Sequence, residues 1–504
     1  MSDSTLNAAQ TRALEMALRG DNMWIVGPPG TGKTFLNEFI RQKISANGKV
    51  IQMTATTGTA ASLMKDGITL HRFTGTGADS LKMHLPIFPE AADTLSNNAK
   101  DIIKKTNTLV IDEASMLSKT VLNNLNDFLM RARDNTEEHY GGIQMILVGD
   151  ICQLPPVEGT LGPGMKREQK VPQTSIFRYT AGWKVCVLSD FVRQAEDPLL
   201  QNINMASMAT SALIRKQAVK ILNAKCLNRP ELDYSKAKTE REKDEMTVRF
   251  AIEKGIPIIT PRNLRVSEYI QLEKEILRDS GKKAFTISEP KRLLEFTELT
   301  KYQQSSLGHK KGFEIEDRYL LKRRSFETQD LRFYEGQIVQ ITHNHTDKTG
   351  IPFMNGDRCV FISYDPKEEI ILVRRIFDGA IIHLPRVKIL SEWSDKIGNM
   401  GYDAFPLVRA LASNIHKNQG QTLDRVIVDV WGLSDWKNPK DIPMMINVAF
   451  SRVRRLSDIY LRRFVAPFDV EREGIDEEMT SLWNLSYMKD YPKVETSVLD
   501  AHSA

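Results

Sequence analysis

The 504-residue sequence predicts an α/β fold built as two lobes with an all-β insert between them, on the strength of three patterns. The first is a series of short apolar runs, MWIVG (23–27), KVIQMTA (49–55), TLVIDE (108–113) and QMILVGD (144–150). Each is rich in Val or Ile and is followed by Gly, Thr or Asp and then helix-like sequence, as in strands buried on both faces of a parallel sheet. The second pattern repeats the first in IPIITPRN (256–263), DRVIVDV (424–430), INVAF (446–450) and IYLRRF (459–464), which predicts a second α/β lobe. The third lies in 334–390, where GQIVQIT, NGDRCVFISYD, EEIILVRRIFDG and AIIHLPRVKIL alternate apolar and polar residues between turn signals. A period of two predicts a small all-β unit there. Residues 199–254 read as helical and charged, with KAKTEREKDE (236–245) a solvated face or linker.

Bulk properties bound what such a chain can be. Its length predicts three or four compact units at roughly 100–200 residues each. Apolar residues make up 41% and charged residues 26%, as in ordinary globular proteins, and no apolar run approaches the roughly 18 residues needed to span a bilayer. The start, MSDSTLNAAQ, has neither a signal nor a transit pattern, so an intracellular setting and no membrane partner are expected. Cys152, Cys186, Cys226 and Cys359 are far apart, which predicts neither a zinc pair nor a disulfide framework. His343 and His345 are close together but fall in a polar loop without Cys or carboxylate partners and carry no chemistry. A net charge of +5, from 69 basic and 64 acidic residues, permits a polyanionic partner without requiring one.

The chemistry begins at VGPPGTGKT. Gly27, Pro28, Pro29, Gly30, Thr31, Gly32, Lys33 and Thr34 form a G-x4-G-K-T loop after the first strand, and Leu36, Phe39, Ile40 and Ile44 then repeat at helical spacing up to Gly48. Glycines let backbone N–H groups turn onto phosphate oxygens, and the helix that follows adds its positive end. This is an ATP-binding loop, in which Lys33 neutralises the β and γ phosphates and the Thr34 hydroxyl ligates Mg²⁺. Asp112 and Glu113 close a buried strand, where two carboxylates are costly unless a cation or a polar reaction uses them. Asp112 is expected to hold Mg²⁺ through water, and Glu113 to polarise the attacking water.

Further along, LVGDICQLPPV (147–157) places Gln153 beyond another strand, where its amide can bond the γ-phosphate or the water. Arg193 in DFVRQ and Arg452 in FSRVRR are candidate fingers, since a planar guanidinium stabilises charge spread over a transferring phosphoryl group. Gln10 can contact adenine, but Asn7-x-x-Gln10 is equally a capping box at a helix start.

In order and spacing, these segments, together with TATTGTAA (54–61), GITLHRFTG (67–75), SIFRYTAGWKVCVLSDFVRQ (175–194), FYEGQIVQITHN…MNGDRC (333–359) and ALASNIHKNQGQTLDRVIVDV (410–430), resemble the Pif/RecD branch of superfamily 1B DNA helicases, nearer Pif than RecD. The resemblance covers nearly the whole chain. It implies two RecA-like P-loop NTPase domains, the first at 1–190 with a small wedge insert near 76–104, the second at 191–333 and 391–504, and a small SH3-like β-barrel insert at 334–390. It also implies an ATP- and Mg²⁺-dependent 5′-3′ helicase and translocase on single-stranded and forked DNA, acting in replication, repair or recombination, with a monomer sufficient for the ATPase site. Replication or single-strand-binding proteins are the expected partners. A single-strand translocase that displaces proteins or remodels forks, or a protein-remodelling P-loop ATPase, are the rival readings.

Carried over by position, Lys33, Glu113, Gln153, Arg193 and Arg452 take the catalytic roles, and Gln10 the adenine contact. Thr57, Gly58, His71 and Phe73 on the first lobe match DNA-contacting positions, as do His416, Lys417, Gln419, Gly420 and Thr422 on the second. Hydroxyls, backbone amides and Lys can hold phosphates without reading sequence, and a His or Phe can stack on a base. The bland alternative for His71 and Phe73 is a helix start with a packed aromatic. Departures from the family pattern are Thr56 for Pro, Asn414 for Ser or Thr, Asn418 for Ser and Phe450 for Leu. VLNNLNDFLMRARD (121–134) lacks the acidic-Lys-Leu-acidic start typical of eukaryotic members, which points to a viral or bacterial relative.

Overall fold

The computed structural model describes residues 6–57, 60–61, 64–74, 89–95, 97–117, 119–150, 182–207, 212–295, 331–343, 345–347, 349–394, 398–434, 442–465 and 495–502. Gln153, Gly58 and all of 76–88 therefore lie outside the described residues. Contacts divide the chain into two compact units, one of Met1–Ala237, Ile258–Arg265 and Ser413–Ala504, the other of Lys238–Pro257 and Val266–Ala412. The expected limits at 190, 333 and 390 do not coincide with these divisions.

In the first unit six strands lie in the order Ile68–Thr69, Ile51–Ala55, Thr108–Asp112, Gln144–Gly149, Met23–Val26 and Lys184–Val187, every neighbouring pair parallel. Successive residues of these strands feed opposite faces, as the pleat demands. Trp24, Val26, Leu109, Ile111 and Leu147 pack with Leu122, Leu125, Phe128 and Leu129 of the helix Lys119–Ala132. Met23, Ile25, Val110, Ile146 and Val148 pack instead with Leu36, Ile40 and Ile44 of the helix Lys33–Ala46 and with Ala9, Ala13 and Ala17. Burial on both faces is why the strands read as unbroken apolar runs. Because the strands are parallel, the loop after Val26, the Asp112–Glu113 pair and Asp150 all leave the sheet at one edge.

The same unit holds a second group of parallel neighbours, Ile258–Thr260, Val426–Val428 and Ile459–Leu461. Its core takes Leu200 and Ile203 from the helix Pro198–Ser207, Ile221 and Leu222 from Ala212–Cys226, and Met445, Val448 and Phe450 from Ile442–Phe450. INVAF, expected as a strand, is thus the end of a helix. A short run that is buried throughout lacks the alternation that separates a strand from a helix, and here every residue from Met445 to Phe450 is buried, the polar Asn447 included.

The second unit is mostly antiparallel. Five strands run in the order Ile381–Leu384, Ile370–Arg375, Arg358–Asp365, Ile338–Ile341 and Leu407–Arg409, with a register shift between Phe361 and Ser363. A three-stranded sheet of Val387–Ser394, Gly398–Ala404 and Lys291–Glu295 extends the strand region past both ends of 334–390. Phe333 stacks on Phe361 at 5.4 Å in the core. The charged run at 236–245 opens the helix Glu240–Lys254, capped by the Thr239 hydroxyl, and Arg241 pairs with Glu275 at its surface. Among the described residues no helix is long and apolar enough to cross a membrane.

Candidate nucleotide site

The loop between Met23–Val26 and Lys33–Ala46 folds as its glycines require. Gly30 and Gly32 have φ of +90° and +79°. A Cβ on Gly27 would meet Thr31 Oγ1 at 2.6 Å and Leu188 O at 2.9 Å, and one on Gly32 would meet Gln10 Nε2 at 2.7 Å. Thr31 is fully buried, and its hydroxyl donates to Pro28 O at 2.9 Å. The Lys33 ammonium donates to Gly27 O and Pro28 O at 2.8 and 2.9 Å, so it rests on the loop's own carbonyls. Burial holds its pKa below the usual lysine range, against the pull of Asp150, Glu113 and Asp112.

Gln10 satisfies both sequence readings at once. Its backbone N–H donates to Asn7 Oδ1 at 2.8 Å while its Oε1 accepts from Asn7 N–H at 3.1 Å, which completes the capping box. Its Nε2 donates to Thr31 O at 3.3 Å, so the same side chain also touches the glycine loop.

At the end of Thr108–Asp112, Asp112 accepts from Asn37 Nδ2 at 3.3 Å and from Glu113 N–H at 2.8 Å. Burial, reinforced by the neighbouring Glu113, raises its pKa to about 7. Glu113 is buried and left-handed, at φ 53° and ψ 40°. That conformation is uncommon outside glycine and turns the carboxylate away from the strand direction. Thr56 steadies the pair, its N–H donating to Asp112 O at 3.2 Å and its hydroxyl to Glu113 O at 3.0 Å. A proline there would lack that N–H.

The arginines come from two places and meet. Val192 and Arg193 donate their backbone N–H groups to Gly30 O at 2.7 and 3.0 Å, which fixes DFVR against the glycine loop. Arg193 Nη1 donates to Ser451 O at 2.9 Å, and Gln194 Nε2 to Val453 O at 3.1 Å. Arg452 is 1% exposed and donates to Val448 O, Ser451 Oγ, Asn418 O and Gln421 O. Burial lowers the pKa of Arg193 to about 10 and that of Arg452 to about 9, each pushed further by a neighbouring arginine.

A cavity of roughly 670 Å³ is lined by Pro29, Gly30, Gly32, Lys33, Thr34, Asp112, Glu113 and Arg193, and also by Gly420, Thr422 and Arg452. Residues from both parallel sheets therefore face one space within one compact unit. The sequence reading missed Arg454 and Arg455 in that lining, although both stand in the same RVRR run, and Asn37 beside Asp112. Asn37 was detectable as a polar residue beside Leu36 on the apolar stripe of its helix.

The positions expected to contact DNA divide differently. His416 is half-buried and burial lowers its pKa. Asn414 caps its turn, accepting from His416 N–H at 2.9 Å while its own Nδ2 reaches Pro261 O at 2.9 Å. Asn therefore does what Ser or Thr would do at this cap and adds a donor. Asn418 ties back to Ser413 Oγ and Asn414 O, and Phe450 fills the core. Lys417 and Thr422 are exposed and Gly420 half-buried, whereas Gln419 is 3% exposed and its Nε2 donates to Glu113 Oε2 at 3.0 Å. On the first lobe Thr57 is half-buried and its hydroxyl accepts from Ala60 N–H at 3.1 Å. His71 is half-buried within the short helix Leu70–Phe73, capped by Thr69. Phe73 is 4% exposed and packs in the hydrophobic core, so the stacking expected of it is corrected: its ring has no free face, and the packed-aromatic alternative is what the fold contains.

A family model described as PIF1-like helicase matches residues 5–216. The chain is 26% identical over 452 residues to the ATP-dependent DNA helicase Pif1 of a Psychrobacter species, covering 84% of this chain and 63% of that protein. Residues 5–216 thus resemble PIF1-like helicases. It is also 29% identical over 371 residues to an uncharacterized protein of Invertebrate iridescent virus 6, covering 71% of this chain. The chain spans about 64% of the length of that viral relative and 63% of the Psychrobacter one. Among solved structures, Candida albicans Pif1 superposes with a TM-score of 0.64 at 20% identity, over 96% of this chain and all of that one. Bacteroides Pif1 in complex with ADP-AlF3 and single-stranded DNA superposes at 0.56 and 19%, over 97% of this chain and 98% of that one. The fold is α/β with the RecA-like parallel sheet of these Pif1 structures.

Proposed function

We propose that this PIF1-like protein is an ATP-dependent 5′-3′ DNA helicase and single-strand translocase. The observation that carries the proposal is a cavity where Lys33, Asp112 and Glu113 of the first sheet's edge face Arg452, Gly420 and Thr422 of the second. A nucleotide held there touches both lobes, so its hydrolysis can change how they grip a strand.

In this reading Lys33 leaves Gly27 O and Pro28 O to neutralise the β and γ phosphates, and Gln10 contacts adenine beside the loop it already touches. Thr34 and Asp112 would hold Mg²⁺, and a carboxyl whose pKa sits at about 7 passes readily to the ionised form beside a cation. Mg²⁺, when bound, neutralises charge on the transferring phosphoryl group. Glu113 takes a proton from the attacking water, and Arg193 and Arg452 stabilise the negative charge on the phosphoryl oxygens. Gln153 keeps the γ-phosphate contact assigned to it from the sequence.

Exposed Lys417 and Thr422, with Gly420 and His416, are assigned to the phosphates of single-stranded DNA, and Thr57, Gly58 and His71 to the same strand on the first lobe. We assign the wedge to about 76–104 and an SH3-like barrel to 334–390, where the antiparallel strands of the second unit support the barrel.

The test is steady-state ATP hydrolysis with and without an oligonucleotide, wild type beside Lys33→Ala, followed by unwinding of duplexes carrying a 5′ or a 3′ tail. The expected result is DNA-stimulated hydrolysis, lost in Lys33→Ala, and unwinding only from the 5′ tail. Stimulation and strand tracking without unwinding would favour a protein-displacing translocase. Full hydrolysis without DNA would remove the helicase reading.

A further inference from the structure

Gln419 was expected to hold DNA, yet its side chain points to the reaction. The turn Ile415–Asn418 ends at Gln419, whose φ of −59° and ψ of 137° turn the chain into an extended direction. Lys417 is left exposed and Gln419 buried, two positions apart. Its Nε2 donates to Glu113 Oε2 at 3.0 Å across 306 residues of sequence. The loop around it is held firmly: Arg452 donates to Asn418 O and Gln421 O, and Leu423 N–H donates to Arg452 O at 2.8 Å.

The Oε1 of the same amide is buried and has no hydrogen-bond partner among the described residues. A half-satisfied amide is a poor packing element, since an apolar side chain of similar volume would bury no orphaned acceptor. Packing therefore does not account for glutamine here, whereas the bond to Glu113 does.

We infer that Gln419 is a positioning residue for hydrolysis, its amide orienting the Glu113 carboxylate that accepts the water's proton. The inference rests on the helicase reading above. One carboxylate oxygen fixed by a donor leaves the other aimed in a set direction, and general-base catalysis depends on that aim.

The test uses the full chain with Gln419→Met, which keeps the volume and removes donor and orphaned acceptor together, so its folding is expected to match wild type in a thermal melt. ATP turnover is measured with Mg²⁺ at saturating oligothymidylate, alongside KM for ATP and the oligothymidylate Kd. The expected result is a fall in stimulated kcat of about 10–100-fold, from within the roughly 10²–10⁴ that a general base supplies, with KM and Kd changed less than about threefold. In a Glu113→Gln background, read by single-turnover hydrolysis, adding Gln419→Met should cost nothing further, because both changes remove one function. An unchanged kcat, a loss multiplying that of Glu113→Gln, or weakened oligothymidylate binding at normal kcat would each overturn the inference while leaving the helicase reading in place. A wild type that hydrolyses ATP without any response to DNA would overturn both.

Discussion

Replacing Arg452 by alanine removes a guanidinium that donates to Ser451 Oγ at 2.6 Å, Val448 O at 2.7 Å, Asn418 O at 3.3 Å and Gln421 O at 3.4 Å. Hydrogen bonds from a charged group contribute about 1.5–3 kcal/mol each, and those near 3.4 Å far less than the two short ones. Part of the sum is offset by the cost of burying the cation in the first place, which leaves a net loss of about 2–4 kcal/mol. Among the described residues Arg193 makes one such bond, to Ser451 O at 2.9 Å, so Arg193→Ala should lose only about 1 kcal/mol. As fingers the two should cost alike in DNA-stimulated hydrolysis, about 10³-fold or more. Urea unfolding of both variants, followed by tryptophan fluorescence beside the ATPase assay, separates the two contributions. Arg452→Ala should unfold at clearly lower urea, and Arg193→Ala close to wild type. Coincident unfolding midpoints would refute the argument that Arg452 also braces the 418–421 loop. The catalytic loss in Arg452→Ala is then to be measured well below its own transition.

The fully buried Glu273 gives a pH signature in the second unit, where it accepts from Ile338 N–H at 2.8 Å and burial raises its pKa to about 8 against the partial relief of Arg409 and Arg358. A carboxyl raised in the folded state binds its proton more tightly there, so its contribution to stability is full below its ordinary 4.5 and is lost as pH rises through about 8. Glu273→Gln should therefore be the more stable protein at pH 9, by on the order of 3 kcal/mol, and lose that advantage at pH 4.5; parallel pH profiles of thermal melting would contradict this. At the glycine loop, Gly32→Ala puts a Cβ 2.7 Å from Gln10 Nε2 at a φ of +79°, a strain of about 1–2 kcal/mol. It should weaken binding of a fluorescent ADP analogue by about tenfold, and unaltered affinity would show that the loop is not held by Gln10.

Local chemistry was legible in the sequence, and long-range geometry was not. The glycine loop could be read because its constraint lies within eight residues: left-handed turns and a close Thr31 leave few residue types possible. The parallel sheet was visible because burial on both faces removes polar positions from whole strands. INVAF failed for the same reason, since complete burial erases the period that tells helix from strand. Gln10 could not be decided from spacing, because one side chain serves a helix start and the glycine loop together. Nor could Gln419 be distinguished from its neighbour Lys417: only the fold says which of the two turns inward, and its partner Glu113 is 306 residues away.

The order in which the two sheets are spelled out along the chain has a consequence for its synthesis. The last strand of the first sheet ends at Val187, whereas Ile459–Leu461 is among the last elements that the second requires. At roughly 5–20 residues per second a ribosome needs on the order of 10–60 s to pass from one to the other. Through most of that interval, until position 419 is reached, the emerging polypeptide owns a finished glycine loop and both carboxylates but neither Gln419 nor Arg452. On the proposed reading, a nascent chain at that stage would hold ATP without the groups needed to turn it over.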